Sequence, residues 1–176
     1  MPNIEYIKDA DVDAAMDAEI RVLLTTCFLK PQDVVFKERR YFKEPPAHRW
    51  FIRDESGRLA AQVAVHDKTV LSGGRTYRIG GIAEVCVHPD HRGNGYVKKL
   101  LDAANEWLAR NGFEFSVLFG RQEIYSSSGY AVKNNMYHNI KNETGEVTRK
   151  NDTPMVKPLG AMPWPEGEVF LPGPNF

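Results

Sequence analysis

The stretch that decides the fold is Glu84-Val-Cys-Val-His-Pro-Asp-His-Arg92-Gly-Asn-Gly95-Tyr-Val97-Lys-Lys-Leu-Leu101. It leaves an apolar run, Ile79 to Val87, through a polar loop with two glycines, and enters a segment with apolar residues at helical spacing. Asn111-Gly112 supplies the left-handed residue that ends this helix, and Phe113 to Phe119 then alternates as a strand does. A strand, a loop, a helix and a strand in this order predict a crossover between parallel strands.

The residues upstream predict two helices followed by an antiparallel meander. From Asp11 onward, apolar residues fall on one stripe of a helix that reaches Phe28, and a second helix is expected from Pro31 to Phe42. Trp50 to Ile52 and Leu59 to Leu71 have strand-like composition, with the turn residues of a hairpin between them. Antiparallel strands before the crossover and a parallel strand after it indicate a mixed sheet.

Together these elements predict an α/β (α+β) fold: a central mixed, mostly antiparallel sheet flanked by helices, with the strand-loop-helix-strand crossover carrying a binding site. The length of 176 residues fits one domain, which we expect to span residues 1–153, with a further hairpin at 136–149. Residues 154–176 hold six of the eleven prolines, so we expect a tail without long regular elements that packs on the same domain.

Composition and charge exclude several functions. The chain has 23 Lys and Arg against 23 Asp and Glu, and its net charge of zero argues against a nucleic-acid binder. The two cysteines lie far apart inside apolar stretches, so we expect no disulfide framework, no metal site and a reducing cytoplasm. No run approaches the roughly 20 apolar residues of a membrane helix, and the acidic N-terminus does not resemble a signal peptide. We therefore expect a cytoplasmic protein that has no membrane partner.

The loop from Arg92 to Lys98 is the first candidate site. Its glycines let backbone N–H groups turn inward, and the start of the following helix adds positive partial charge, which suits phosphate oxygens. A plain turn that needs glycine for its dihedral angles explains the glycines equally well. Two other phosphate loops fit poorly, because Tyr96 follows Gly95 where a nucleoside-triphosphate loop has lysine, and Lys98 stands where a dinucleotide loop has its third glycine.

The same stretch resembles the coenzyme A signature of the GCN5-related N-acetyltransferases, the GNAT family, whose pattern is Gln/Arg-x-x-Gly-x-Gly/Ala. Arg92 and Gly95 match that pattern, and Val97 stands where the family has glycine or alanine. A second block, Ile124-Tyr-Ser-Ser-Ser-Gly-Tyr130, resembles the family's Leu-Tyr-x-x-x-Gly-Phe and follows at the right distance. The two blocks in this order identify residues from about Asp9 to Tyr130 as a GNAT-like domain.

The resemblance implies that acetyl-CoA, or another acyl-CoA, is the co-substrate and that no metal takes part. In the family, pantetheine lies along the central strand, which here is the backbone of Val85, Cys86 and Val87. The pyrophosphate would meet the N–H groups of the loop, namely those of Arg92, Gly93, Asn94, Gly95, Tyr96 and Val97. Binding by backbone groups explains how a chain without net charge can hold an anionic cofactor.

Tyr125 occupies the family's general-acid position, where it would return a proton to the departing thiolate. The pKa values of a free phenol, about 10, and of a free thiol, about 8.5, make that proton transfer only mildly unfavourable. The resemblance therefore implies direct transfer in a ternary complex, in which Cys86 is not required as a nucleophile.

Glu84 is the candidate base, because it is the only charged side chain in an apolar strand, where burial raises the pKa of a carboxyl group. A structural role explains it equally well, as an ion-pair partner of Arg75 or Arg78. His66 and His88 are further candidates for the base, although a lone histidine is more often structural.

Three features bear on the acceptor. The acidic run from Asp9 to Glu19 either attracts a polycationic amine or serves helix capping and solubility. Five aromatic residues belong either to the core or to an acceptor wall: Phe36, Tyr41, Phe42, Trp50 and Phe51. The tail, with Pro154-Met-Val-Lys-Pro and Trp164-Pro-Glu-Gly-Glu-Val, is similar to the C-terminal ends of aminoglycoside 2′-N-acetyltransferases and rhizobial nodulation acyltransferases. Those groups act on amino sugars, which implies that the tail helps to form an acceptor pocket.

The leading hypothesis is an acyl-CoA-dependent N-acetyltransferase that acts on a primary amine of a small molecule, such as an amino sugar. The alternatives are a non-catalytic acyl-CoA-binding module and an acetyltransferase whose acceptor is a protein or peptide. The sequence leaves open the acceptor, the acyl chain length and the oligomeric state, including a homodimer.

Overall fold

The computed structural model describes residues 2–176. Within these residues the chain forms ten β-strands: β1 (Ile4–Lys8), β2 (His48–Arg53), β3 (Leu59–Ser72), β4 (Arg75–Val87), β5 (Phe115–Leu118), β6 (Ala131–Val132), β7 (Met136–Lys141), β8 (Val147–Asp152), β9 (Met155–Pro158) and β10 (Val169–Leu171). The same range contains three α-helices: α1 (Ala14–Cys27), α2 (Tyr96–Arg110) and α3 (Gln122–Tyr125). Short 3-10 helices lie at Asp9–Asp11, Pro31–Lys37, Pro89–His91 and Ser126–Ser128.

The strands form a mixed sheet. Its strand order is β6-β9-β5-β4-β3-β10-β7-β8, and β2 pairs with both β3 and β1. Strand β10 runs parallel to β7 and antiparallel to β3, and the pairs β1–β2, β2–β3, β5–β9, β6–β9 and β7–β8 are antiparallel. Helix α2 connects β4 to β5. The predicted fold, a mixed and mostly antiparallel sheet flanked by helices, is confirmed.

The chain divides into two compact units, each with its own core. The first unit contains the residues up to His66 together with Ile82–Ala104, and the second contains Asp67–Gly81 together with Asn105–Phe176. The first core is built by Met16, Ile20, Leu23, Leu24, Phe36, Phe51, Leu59 and Cys86. The second core is built by Val70, Ile79, Phe115, Val117, Met136, Val156, Trp164, Val169 and Leu171. The predicted domain boundary at residue 153 stays a prediction.

Helix α1 forms where the apolar stripe predicts it. The carboxylate of Asp13 caps the helix by accepting a hydrogen bond from the Met16 N–H at 2.8 Å. The second predicted helix is shorter than expected, since a 3-10 helix ends at Lys37. Beyond it the guanidinium group of Arg39 donates to the Tyr41 and Phe42 carbonyls, so a side chain satisfies backbone groups that a longer helix would use.

The two ends of the chain add strands that the local sequence pattern does not predict. Strand β1 pairs with β2 along its whole length. In the proline-rich tail, β9 pairs with β5 and β6, and β10 joins β3 to β7. The tail thus contributes to the sheet and core of the second unit rather than only covering its surface. No helix within residues 2–176 combines the length and apolar character needed to cross a membrane.

Candidate active site

The loop that follows β4 has the backbone that the glycine pattern predicts. Gly93 and Gly95 adopt left-handed conformations, with φ of +81° and +70°. A Cβ atom at either position would meet open space, so the dihedral angle, and not crowding, is what requires glycine. The Asn94 side-chain amide donates to the His91 carbonyl at 3.0 Å and closes the loop on itself. Arg92 is exposed at the loop's beginning.

Helix α2 starts directly after Gly95. The N–H group of Lys99 donates to the Gly95 carbonyl at 3.2 Å, which is the first bond of the helix. Helical geometry therefore leaves the N–H groups of Tyr96, Val97 and Lys98 without an acceptor inside the helix. These groups and the positive end of the helix dipole suit the oxygens of a phosphate. The half-buried side chain of Val97 occupies the position where the family pattern has glycine or alanine.

The end of β4 carries the three residues predicted to run beside pantetheine. Val85 and Val87 are half-buried, and Cys86 is buried in the core of the first unit. The Val87 carbonyl accepts a hydrogen bond from the Cys27 thiol at a sulfur–oxygen distance of 3.4 Å. The hydrogen bond with Cys27 and burial raise the pKa of the Cys86 thiol, which makes Cys86 a poor nucleophile.

Glu84 interrupts the regular strand three residues before the end of β4. Its φ of +51° is left-handed, which costs free energy in a residue that has a Cβ atom. The carboxyl oxygen Oε1 accepts a hydrogen bond from the Phe42 N–H at 3.2 Å, while Oε2 is buried without a hydrogen-bond partner. Burial raises the pKa of Glu84 from 4.5 to about 7, against the opposing charge of Arg49.

A buried network of charges surrounds Glu84 inside the first unit. The side chain of Arg49 is completely buried, and its Nη1 atom lies 3.5 Å from Glu84 Oε2. Arg49 donates to Asp9 through Nε at 2.6 Å, to Gln62 through Nη1 at 2.9 Å and to the Arg40 carbonyl through Nη2 at 2.7 Å. The Gln62 amide in turn donates to the Glu84 carbonyl at 2.9 Å. Arg49 therefore reaches Glu84 both directly and through Gln62.

The proposed structural partners of Glu84 are engaged elsewhere. Arg75 pairs with Glu114 at 2.7 Å, and Arg78 pairs with Asp67 at 2.6 Å. The expectation that one of these arginines pairs with Glu84 is therefore wrong: Arg49, on β2, is the residue beside it.

The two alternative bases have other environments. His66 is buried in β3, with 6% of its surface exposed. The Nδ1 atom of His88 accepts a hydrogen bond from the Asp90 N–H at 3.2 Å, which caps the 3-10 helix Pro89–His91. Glu84 remains the candidate whose carboxyl oxygen has no hydrogen-bond partner.

Tyr125, the predicted general acid, lies in the second unit at the end of α3 and is half-buried. Its ring packs directly over Gly120, where a Cβ atom would overlap the ring. The ring also contacts Tyr130 edge to face, with the ring centres 6.4 Å apart. The hydroxyl of Tyr130 is buried and bonds Ser116 at 2.8 Å and the Asn105 amide at 3.0 Å.

The glycine of the second block has a structural reason. Gly129 adopts a φ of +90°, which ends the 3-10 helix Ser126–Ser128 that follows Tyr125. The Lys157 ammonium group donates to the Ser128 carbonyl at 2.9 Å and fixes this turn. The block therefore holds Tyr125 between a fixed turn on one side and Gly120 on the other.

A comparison with protein families assigns the chain. The profile of the acetyltransferase (GNAT) domain matches residues 3–133, which is more than half of the chain. The chain belongs to the GNAT acetyltransferase family. The prediction of an acetyltransferase of this family is therefore confirmed. No curated protein matches the sequence.

Solved GNAT structures share the fold at low sequence identity. The Escherichia coli GNAT family N-acetyltransferase YhbS, in complex with CoA, has a TM-score of 0.69 and 18% identity, covering 97% of this chain and 89% of that one. A Brucella melitensis GNAT acetyltransferase in complex with acetyl-CoA has a TM-score of 0.62 and 19% identity, covering 95% of this chain and 94% of that one. The Escherichia coli ribosomal-protein-S18-alanine N-acetyltransferase has a TM-score of 0.57 and 14% identity, covering 93% of this chain and 97% of that one. This chain spans about a third of several longer structures that it also matches.

Three residues of the candidate site in this GNAT chain are not predicted by the sequence. Arg49 directly precedes the apolar run Trp50 to Ile52, and Arg53 directly follows it, so the sequence pattern does not single out Arg49. Asp9 belongs to the acidic run, but it is 2% exposed and binds Arg40 and Arg49. Burial opposes its ionisation, yet the hydrogen bonds from both arginines outweigh this and lower the pKa of Asp9. Gly120 carries no sequence signal, since its role depends on the ring that packs over it.

Proposed function

We propose that this GNAT enzyme transfers an acetyl group from acetyl-CoA to a primary amine of a small molecule, by direct transfer in a ternary complex. The observation that supports this most is Glu84, a buried carboxyl group with a pKa raised to about 7, on the strand that leads into the left-handed glycine loop. A proton acceptor and a candidate phosphate-binding loop thus lie on one continuous stretch of chain.

The loop and the end of β4 fit the cofactor. The backbone N–H groups after Arg92 suit the pyrophosphate, and the backbone of Val85 to Val87 suits the amides of pantetheine. When bound, acetyl-CoA supplies the activated acetyl group as a thioester. The remaining chemistry, which is proton transfer, belongs to side chains of the chain.

Glu84 would act as the base. Amines enter as ammonium ions at neutral pH, and a carboxylate with a pKa of about 7 can remove a proton directly or through one water. The neutral amine then attacks the thioester carbonyl carbon, the new C–N bond replaces the C–S bond, and the nitrogen releases its second proton to solvent. Tyr125 would donate a proton to the departing thiolate sulfur, and its phenolate regains a proton from solvent. Atoms balance as amine plus thioester giving amide plus free thiol.

We infer that the acceptor is small and that amino sugars are the first class to test. Phe42 is 37% exposed, and its N–H group binds the Glu84 carboxyl oxygen, so its ring can form one wall beside the base. Phe36, Trp50 and Phe51 are at most 5% exposed and belong to the core instead. The resemblance of the tail to amino-sugar acyltransferases supports the same class.

The test is acceptor-dependent release of free thiol from acetyl-CoA. The panel contains glucosamine, kanamycin, spermidine and a peptide that begins with alanine, because one structural relative acetylates an S18 alanine. We expect release with an amino sugar, and release with the peptide alone would redirect the proposal to protein acceptors. Binding of acetyl-CoA without thiol release on any amine would favour the non-catalytic module.

Tyr125→Phe tests the general acid with the amine that reacts best. We expect kcat to fall about 100-fold, because a positioned acid contributes roughly that much, while the Kd of acetyl-CoA stays unchanged. Tyr137→Phe is the matched control, since Tyr137 is a half-buried tyrosine of the same unit on β7. Unchanged turnover in Tyr125→Phe would remove this tyrosine from the mechanism.

A further inference from the structure

The carboxyl group of Glu84 has an electrostatic partner that gives it no hydrogen bond. Arg49 Nη1 is 3.5 Å from Oε2, but the same nitrogen donates to Gln62 at 2.9 Å. Its Nε and Nη2 atoms are engaged by Asp9 and by the Arg40 carbonyl. Arg49 therefore presents its positive charge to Glu84 while its hydrogen bonds hold it to other groups.

Asp9 limits the charge that Arg49 offers. The Asp9 carboxylate binds Arg49 at 2.6 Å and Arg40 at 2.8 Å, and only 3% of its side chain is exposed. A carboxylate in contact with a buried guanidinium group offsets much of its field at the next neighbour, because burial weakens solvent screening. Glu84 therefore faces a partly neutralised arginine.

The groups that face Glu84 come from four elements. Arg49 lies on β2, Asp9 lies in the 3-10 helix after β1, and Cys86 lies on β4 itself. The Phe42 N–H, from the segment after the second 3-10 helix, binds Oε1. Arg49 stabilises the charged carboxylate and Asp9 opposes it, so two residues of opposite sign act on the same group.

We propose that Arg49, restrained by Asp9, is the positioning residue for Glu84: its charge, held 3.5 Å from Oε2, determines the pH at which acetyl transfer begins. This inference rests on the proposed function of Glu84 as the base. Arg49 keeps Glu84 ionisable near neutral pH, and Asp9 prevents Arg49 from holding it permanently as a carboxylate.

The two partners have opposite predicted effects. Removing the arginine charge in Arg49→Met leaves burial unopposed, so the pKa of Glu84 rises by one unit or more. Asp9→Asn removes the negative charge that offsets Arg49. Glu84 then faces the full charge of Arg49, so the pKa of Glu84 falls by about one unit. A residue with only a structural role would not shift the same titration in opposite directions.

The experiment is a direct titration of Glu84 by carbon NMR in protein labelled at the glutamate side-chain carboxyl carbon. Glu84→Gln identifies the signal, because that resonance disappears in the variant. Asp9→Asn, Arg49→Met and Asp17→Asn are then titrated from pH 5 to 9. Asp17→Asn is the matched control, since Asp17 binds Arg40 and Arg21 but not Arg49.

We expect the Glu84 midpoint to move down in Asp9→Asn, up in Arg49→Met and by less than about 0.3 unit in Asp17→Asn. A midpoint unchanged in Asp9→Asn would overturn the proposal, and this isosteric variant decides alone if Arg49→Met does not fold. The acid limb of kcat/KM with the best amine should follow the same shifts. The titration needs no turnover, so loss of activity in Glu84→Gln tests the base separately from the positioning role.

Discussion

Arg49 Nη1 lies 3.5 Å from Glu84 Oε2 in the interior of the first unit, and no hydrogen bond joins the two groups. An arginine that bound this carboxylate with two short hydrogen bonds would hold its pKa well below the ordinary range. Here burial outweighs the arginine and raises the pKa of Glu84 to about 7. The geometry therefore preserves a carboxyl group that can both accept and release a proton near neutral pH.

The glycine loop provides the first prediction. Gly95→Ala places a side chain at a φ of +70°, which costs about 1–2 kcal/mol in the left-handed region. The loop relieves this strain by leaving its present conformation, so binding of CoA must restore the strained form. We expect calorimetry to show roughly tenfold weaker CoA binding. Gly57→Ala is the control, because Gly57 has a φ of +85° in a hairpin turn, also with open space around it. Equal affinities in the two variants would show that the loop does not hold the cofactor.

Gly120 provides a prediction for the placement of Tyr125. A methyl group at this position would overlap the Tyr125 ring, so Gly120→Ala forces the ring to move. A displacement of about 1 Å in a catalytic group can cost 100-fold in rate. We expect kcat to fall about 10- to 100-fold with the Kd of CoA unchanged, measured by thiol release and calorimetry. Gly160→Ala, at an open position of the same unit, should leave both values unchanged. Normal turnover in Gly120→Ala would show that the position of the Tyr125 ring does not affect the reaction.

Much of the fold follows from local sequence pattern. The stripe of α1 and the turn between β2 and β3 lie within short segments, so neighbouring residues are sufficient to predict them. The strands at the two ends are different, because their pairing depends on distant residues: in β10, Phe170 pairs with Leu71. Strand β10 has only three residues and Pro172 follows it directly, so the local sequence alone does not predict a strand there.

The candidate site divides in the same way. The glycine loop and the block around Tyr125 are continuous in sequence, so their residues can be recognised before the fold is known. The environment of Glu84 is assembled from residues that are distant in sequence, since Arg49 lies 40 residues from Asp9 and 13 from Gln62. Sequence spacing does not predict such contacts, and no local pattern separates Arg49 from Arg53, which lies at the other end of the same strand.

Tyr130 supports a prediction about stability. It stands where the family block has phenylalanine, yet its hydroxyl bonds two buried residues, Ser116 and Asn105. Tyr130→Phe would leave both without this partner, so we expect a loss of about 1–3 kcal/mol in the free energy of unfolding, measured with urea. Tyr137→Phe should change stability by less than about 0.5 kcal/mol. If Tyr130→Phe is as stable as the wild type, the buried hydroxyl network contributes nothing.

Glu84 also predicts how stability depends on pH. In the folded protein its pKa is raised from 4.5 to about 7, so the folded state keeps a proton that the unfolded chain releases. This contribution is fully present below pH 4.5 and is lost as the pH rises through 7. Glu84→Gln keeps the shape of the side chain and the acceptor for the Phe42 N–H, but it cannot ionise.

The free energy of unfolding of this variant, measured with urea, is expected to rise by about 2–3 kcal/mol relative to that of the wild type between pH 5 and pH 8. Glu106→Gln, on the exposed face of α2, should show no such change. A difference between Glu84→Gln and the wild type that is equal at both pH values would mean that Glu84 ionises with an ordinary pKa, and its candidacy as the base would lose its physical support.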